Sequence, residues 1–407
     1  MTASLPLPPL SLYIHIPWCV RKCPYCDFNS HQADDTLPEA DYVAALRADL
    51  EHDRPLAQGR PLQTVFFGGG TPSLLSAQAI GQILEDVNRI IGLAPEAEIT
   101  LEANPGTFEQ ERFSGFRAAG VNRLSIGIQS FNEQQLHRLG RIHGRAEALA
   151  AVAVARKAGF DNLNLDLMHG LPGQTPEDAY ADLAQAIDLA PEHLSWYQLT
   201  IEPNTEFYNS PPVLPEEDSL ADIQSRGEAQ LAEAGFEQYE VSAYARPNQQ
   251  ARHNLNYWTF GDYLGIGAGA HGKITRPESG QIMRLWKTRL PKHYLNKCRD
   301  KRDPGDQSDR IASSEASDES QTPHNPFVAG REFLGAEALP LDFMLNALRL
   351  NAGVAAGTFT ERTGLPLSAL EPQWQALRDK GLVDDQRTHL RTTDLGRRFL
   401  NDVLAQF

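Results

Sequence analysis

A chain of 407 residues carries 53 acidic and 37 basic side chains, a formal charge of −16, and only four cysteines. That length allows one large domain plus a smaller one, and basic residues scattered through an acidic chain exclude the electrostatic footprint of a nucleic-acid binder. Few, clustered thiols fit a reducing compartment rather than a disulfide-stapled secreted protein. With no apolar run of 18 residues and no basic stretch before the early prolines, neither a membrane span nor a signal peptide is expected, and the cytoplasm is the expected location.

In chain order, the first predicted element is a strand over Leu12–Trp18, and directly behind it stands Cys19-Val-Arg-Lys-Cys23-Pro-Tyr-Cys26. Three thiolates so close can hold one metal centre and leave a fourth coordination position without a local protein ligand. Structural zinc is closed by four ligands and would need a distant fourth, whereas iron–sulfur clusters favour all-thiolate coordination. The loop therefore predicts a [4Fe–4S] cluster whose fourth iron is free to bind something else.

Further strands are predicted at Thr64–Phe67, Glu98–Ala103, Arg123–Ser130, Asn162–Met168 and His193–Thr200. Between them lie helical stretches at Glu39–Glu51, Ala77–Ile91, Phe108–Ala119, Ala146–Ala158 and Thr175–Leu189. Six βα repeats predict an α/β fold with a parallel sheet under helices, either open and doubly wound or a barrel. The period inside the strands favours the barrel. Leu163, Leu165 and Leu167 alternate with Asn164 and Asp166; Ser125, Gly127 and Gln129, Thr100 and Glu102, and Tyr13 and His15 occupy the corresponding polar faces. A parallel strand buried on both faces reads as a continuous apolar run. A barrel can pack apolar faces against outer helices and point polar faces at an interior ligand. An antiparallel sheet with a wet side is the alternative, and the intervening helices argue against it.

Phe66-Phe-Gly-Gly-Gly-Thr-Pro72 closes the second strand, where glycines let backbone approach a ligand. Asn104-Pro-Gly106 and Leu171-Pro-Gly173 mark the ends of the third and fifth. Cys19, Gly68–Thr71, Glu102, Gln129, Asp166 and Tyr197 all fall at carboxyl ends of successive strands, the face where barrel enzymes build their sites. Downstream, a helix is expected near Asp218–Ala234 and a strand at Gln238–Tyr244. Residues 299–325 contain almost no apolar side chains and read as a mobile insertion. After Pro326 a smaller α+β unit with a winged-helix-like outline is expected, with a short hairpin around Gln386–Arg391. Thr393 would cap a last helix with Leu395, Phe399, Leu400, Val403, Leu404 and Phe407 on one stripe. In so acidic a chain this unit reads as a packing or interaction domain rather than a DNA reader.

The CxxxCxxC loop, Gly-Gly-Gly-Thr-Pro and the polar strand ends resemble the radical S-adenosylmethionine (SAM) superfamily. Tyr13-Ile-His-Ile-Pro17, Asn122-Arg-Leu-Ser-Ile-Gly-Ile-Gln129-Ser and Asp166-Leu-Met-His-Gly-Leu-Pro172 narrow the resemblance to the oxygen-independent coproporphyrinogen III oxidase family. It implies an incomplete (β/α)6 TIM-like barrel, with Cys19, Cys23 and Cys26 on the cluster and SAM on the open iron. Gly69, Gly70 and Thr71 would hold the methionyl amine and Glu102 the ribose or carboxylate region, while Tyr13, Gln129, Arg141 and Asp166 match further SAM-contacting positions. A guanidinium suits a carboxylate, and acidic groups accept ribose hydroxyls.

Two departures resemble that family's haem-chaperone branch, called HemW. Phe28 stands where the oxidase has a further cysteine, and the first strand begins near residue 11, without the oxidase's preceding segment. His253-Asn254-Leu-Asn-Tyr257-Trp258 matches that branch's His-Asn-x-x-Tyr-Trp motif, in which His253 is expected to ligate haem iron and Asn254, Tyr257 and Trp258 to support the porphyrin. A packed, hydrogen-bonded structural histidine is the alternative. His271, in Gly265-Ile-Gly-Ala-Gly-Ala-His271, is a second candidate, and Cys298 reads as a spare thiol. The expected function is haem binding and delivery to a haem-requiring protein such as a respiratory enzyme, with a reductant for the cluster; the alternative is oxidative decarboxylation of coproporphyrinogen III. Both a monomer and a homodimer with haem at the subunit contact stay open. The expected divisions are 1–215 for the barrel, 216–298 for an extension, 299–325 for the insertion and 326–407 for the C-terminal unit.

Overall fold

Leu10, Leu12, Ile14 and Ile16 alternate along strand β1 (Leu10–Ile16) and are fully buried beneath helices, while Ser11, Tyr13 and His15 take the other face. This computed structural model describes residues 5–34, 36–106, 110–299, 325–386 and 388–407, so the expected insertion at 299–325 lies almost wholly outside the described residues. The same alternation recurs in β2 (Leu62–Gly69), β3 (Leu93–Ala103), β4 (Arg123–Gln129), β5 (Leu163–His169) and β6 (His193–Gln198). These strands pair in parallel in sequence order. The crossovers are α1 (Glu39–Asp53), α2 (Ala77–Ile90), α3 (Phe113–Ala119), α4 (Arg145–Lys157) and α5 (Pro176–Asp188). Their inner faces, among them Leu46, Ile80, Phe116, Val152 and Leu183, join the strand leucines and isoleucines in one core. Each such side chain contributes about 1.5–3 kcal/mol on full burial. The polar strand faces are left to the interior, as the period-2 pattern predicts.

The arc does not close. Beyond β6 the sheet continues antiparallel into the hairpin β7 (Glu237–Glu240) and β8 (Ala243–Ala245). The single strand expected at Gln238–Tyr244 is therefore two, bent at Val241–Ser242. On the opposite edge β1 pairs in parallel with β9 (Asp262–Ile266). The antiparallel strands β10 (His271–Arg276), β11 (Gln281–Lys287) and β12 (Val328–Phe333) follow. The resulting twelve-stranded sheet is an incomplete barrel with one flank opened outward.

Buried ionic contacts bind this flank to the barrel. Lys287 of β11 places Nζ 2.6 Å from both Asp49 and Asp53 of α1, and Asn325 and Tyr294 donate to the same carboxylates. Arg60 reaches Asp262, which also accepts from the amide of Thr275. Between them, α6 (Glu217–Glu233) packs Ile223 and Leu231 into the main core, and α7 (Arg252–Trp258) lies under the barrel.

The C-terminal unit builds a second core around Phe343, Phe359, Trp374, Leu377 and Val403, which Phe260 and Ile282 of the preceding flank also join. The hairpin expected around Gln386–Arg391 is held by an antiparallel bridge, Val383 to Thr392, and the two-residue strand His389–Leu390 pairs with Val354–Ala355. Thr393 caps as expected, accepting from the amide of Gly396, but the last helix is broken at Phe399 into Asp394–Arg398 and Leu400–Leu404. The break turns the stripe. Leu395 and Phe399 are exposed while Val403 is buried.

Candidate functional site

Hydrogen bonds stitch the cysteine loop to the ends of β1 and β2. Amides of His31 and Ala33 donate to the carbonyls of Pro17 and Cys19, and amides of Gly70 and Thr71 donate to Ile16 and Trp18, each pair 2.7 or 2.8 Å apart. The glycines make this approach sterically open. A Cβ on Gly70 would lie 2.5 Å from the Trp18 carbonyl oxygen, and one on Gly69, whose φ is +112°, would meet the His15 ring at 2.5 Å. With these amides engaged, and that of Gly69 facing Glu102 at 3.3 Å, the motif offers a ligand carbonyl oxygens and the Thr71 hydroxyl. Those groups suit an amine.

Cys19, Cys23 and Cys26 are half-buried free thiols. Burial pushes the Cys19 and Cys26 thiols up, opposed at Cys19 by Thr71 and at Cys26 by the Phe28 amide and Ser30. Arg141 faces Cys23 with Nη1 3.7 Å from Sγ. Among the described residues no three Cys, His, Asp or Glu side chains converge as they would around a single ion. A [4Fe–4S] cluster asks for a different arrangement, since each thiolate binds its own iron and the sulfurs ring a space. An all-sulfur donor set with a cation behind one sulfur fits that group.

Around the loop stand the polar strand ends. Arg141 also donates to the side chain of Asn104 at 2.6 Å and to the carbonyl of Gly127 at 2.7 Å, and Asn104 donates to Thr71 at 3.1 Å. Asn104 thus ties three strand ends together; sequence reasoning marked it only as a turn, although its place at a strand end before Pro-Gly was a signal. Gln129 ends β4 in a left-handed conformation with φ of 69°, which costs of order 1–3 kcal/mol, and accepts the Tyr197 hydroxyl at 2.8 Å. Asp166 accepts from Ser125 and Asn164. Glu102 is lifted to about 8 by burial, then by neighbouring Asp166. The Tyr13 hydroxyl meets His15 Nδ1 at 3.0 Å. All eight SAM-expected positions therefore lie on the interior or at its carboxyl rim.

The His-Asn-x-x-Tyr-Trp motif forms α7, at the opposite end of the strands from the cysteines. Backbone amides of Arg252 and His253 donate to the Glu98 carboxylate, holding the helix N-terminus. His253 is 2% exposed. Its Nδ1 lies 2.6 Å from the Thr64 hydroxyl and its Nε2 2.9 Å from the Tyr257 hydroxyl. Since Thr64 donates onward to Ser11, Nδ1–H donates and Nε2 accepts. Burial holds the ring neutral, pulled down to about 3. Ligation of an iron would require this ring to leave both partners. Asn254 is half-buried on the same helix, and Tyr257 and Trp258 turn towards a large cavity.

That cavity measures about 710 Å³, within the roughly 300–1,000 Å³ of small-molecule sites. Tyr13, His15, Gly69 and Glu102 line it from the barrel interior, and Phe28 and Asn29 from the cysteine loop. On the opened flank it meets Tyr263, His271, Arg284 and Trp286. Phe28 stands 61% exposed on the wall of this cavity. Cys298 belongs elsewhere, packed on the main core.

The Radical SAM superfamily profile matches residues 13–186 and the HemN C-terminal domain profile residues 334–399. The chain is 49% identical over 401 residues to the heme chaperone HemW of Escherichia coli (strain K12), covering 98% of each. It is 47% identical over 405 residues to that of Haemophilus influenzae and 33% over 407 to that of Bacillus subtilis, again covering 98% of each chain. Among solved structures, coproporphyrinogen III oxidase (HemN) from Escherichia coli superposes with a TM-score of 0.78 over 100% of this chain and 91% of that one, at 23% identity; the two share a fold.

Proposed function

This chain belongs to the HemW family of radical SAM proteins, and from that premise we propose that it binds haem beside a SAM-ligated [4Fe–4S] cluster and hands the haem to an acceptor. The observation that carries the reading is the cavity of about 710 Å³, walled by aromatic rings and reaching the cysteine loop. Cys19, Cys23 and Cys26 hold the cluster. Carbonyls of Gly69 and Gly70 and the Thr71 hydroxyl accept the methionyl amine, and Arg141 pairs with the carboxylate. Glu102 and Asp166 accept ribose hydroxyls, with Tyr13 and Gln129 completing the wall. When bound, cluster and SAM supply one-electron chemistry that no side chain of this chain provides.

Tyr257 and Trp258 give the porphyrin an aromatic wall, and His253, through its bond to the Tyr257 hydroxyl, fixes that wall in place. The acceptor is a haem-requiring protein, a respiratory enzyme being one such class, and a cytoplasmic reductant serves the cluster. Among the described residues no helix is long and apolar enough to cross a membrane. The oxidase reading is weaker because Phe28 occupies the position of that enzyme's extra cysteine, and the chaperone relatives match across the whole chain at far higher identity.

Two measurements on anaerobically reconstituted protein test this. Ferric haem titrated into the protein should give a saturable Soret band. Coproporphyrinogen III with dithionite and SAM should yield no vinyl-bearing product. Failure to bind haem, or appearance of that product, overturns the reading.

A further inference from the structure

His271 opens β10 directly opposite Trp286 on β11, and Lys273 pairs with Arg284 one step along the same face. Alternation places these four on the cavity side, while Ile274, Met283 and Leu285 face the core. Two histidines line the cavity. His15 is fully engaged, Nδ1 with Tyr13 and Nε2 with the Asn29 carbonyl at 2.9 Å. The His271 imidazole makes no hydrogen bond among the described residues, is exposed, and lies 6.5 Å from the Trp286 ring with the planes 29° apart.

The rest of the lining asks for carboxylates. Two guanidinium groups, of Arg284 and Arg289, line the cavity, and a guanidinium pairs with a carboxylate. Lys273 is consumed by the Phe260 carbonyl and Asp262, and Arg284 spends one nitrogen on Asp342. Arg289, exposed at the rim, holds Asn29 through Nε, and its outer nitrogens have no partner among the described residues. A ligand with an open metal position, a flat apolar ring and two carboxylates satisfies all of these features at once.

We infer that His271 ligates the haem iron in this cavity, with the propionates towards Arg284 and Arg289. The inference rests on the haem-chaperone reading and adds the ligand and the orientation. The imidazole binds iron through a ring nitrogen that nothing else claims. The cysteine loop and the haem would then share one cavity wall.

The test uses full-length, cluster-loaded protein and haemin under anaerobic conditions. His271→Ala should raise the Kd at least tenfold and move the ferric Soret band, and free imidazole should restore the wild-type band. His271→Met should still bind haem, with a changed band and a raised reduction potential. His389→Ala, at a surface site away from the cavity, should match wild type. Cluster absorbance equal to wild type in each variant shows that the fold and the cysteine loop persist. If wild type takes up no haem, the chaperone reading itself fails. If wild type binds haem and His271→Ala or His271→Met leaves both band and affinity unchanged, the chaperone reading stands and His271 is not the ligand.

Discussion

Asn29 and Arg289 exchange two hydrogen bonds: the Asn29 amide donates to the Arg289 carbonyl at 2.9 Å, and Arg289 Nε donates to the Asn29 side-chain oxygen at 3.1 Å. Asn29 lies three residues beyond Cys26, and Arg289 follows the strand that carries Trp286. The same amide donates to the Ala268 carbonyl at 3.0 Å, and a Cβ on Gly269 would sit 2.3 Å from its nitrogen. One side chain therefore fastens the cysteine loop to the turn that presents His271.

Asn29→Ala removes all three bonds and leaves the carbonyls of Ala268 and Arg289 to water. The expected cost is about 1–3 kcal/mol in urea unfolding, accompanied by faster bleaching of the cluster in air because the loop is freed on one side. Bleaching at the wild-type rate would show that the clamp does not protect the cluster.

Gly70→Ala sets a methyl group 2.5 Å from the Trp18 oxygen and 2.9 Å from that of Ile16, both backbone atoms that already accept hydrogen bonds. Backbone cannot swing aside as a side chain can, so the loop must separate from β2. We expect a loss of about 1–3 kcal/mol and iron content per chain below half of wild type. Gly81→Ala, on α2 with only the Ala119 methyl at 3.6 Å, should instead be neutral or stabilising by up to about 1 kcal/mol. Equal iron content in the Gly70 variant would refute the steric argument.

Most of the strand interior was legible because a two-residue period with polar residues on one face has few other solutions. The helices were legible because each interval carried enough apolar residues to cover the sheet. What escaped was set by contacts remote in sequence. The bend that splits the strand at Val241–Ser242 carries no glycine or proline to announce it. Asn104 looked like a turn residue until Arg141 and Thr71 closed on it. Similarly, the His253 motif could be read as a ligand because nothing local showed that Thr64, 189 positions away, takes one ring nitrogen. His271 was visible as a candidate, but its pairing with Trp286 depends on a register that only the folded flank supplies.

Arg141→Gln keeps a hydrogen-bonding group but removes the charge that faces Cys23 and, on our proposal, the SAM carboxylate. Loss of a charge-assisted bond is worth about 1.5–3 kcal/mol, so SAM affinity in equilibrium dialysis should fall roughly ten- to a hundredfold. Cluster absorbance should be retained, because all three thiols remain. Unchanged SAM affinity would remove Arg141 from the binding site.

His253 offers a prediction that separates its packing from any surface role. Folded, the ring is held neutral with its pKa pulled from 6.5 to about 3, chiefly by burial and then by Arg123. Below pH 6.5 the unfolded chain binds a proton that the folded chain refuses. The stability this neutral ring contributes is therefore complete above pH 6.5 and is lost as pH falls from there towards 3. Its share of the slope approaches about 1.4 kcal/mol per pH unit. Glu102 acts in the opposite sense, since its raised pKa keeps a proton in the folded state up to about pH 8, so absolute stability against pH mixes several groups. The difference between wild type and His253→Gln isolates one of them, because every other group titrates in both. Urea unfolding between pH 5 and 6.5 should show the variant's stability falling less steeply on acidification, by about that slope. Parallel curves would mean that the ring already reaches solvent and takes up its proton in the folded protein, and the bonds to Thr64 and Tyr257 would then not be what holds it.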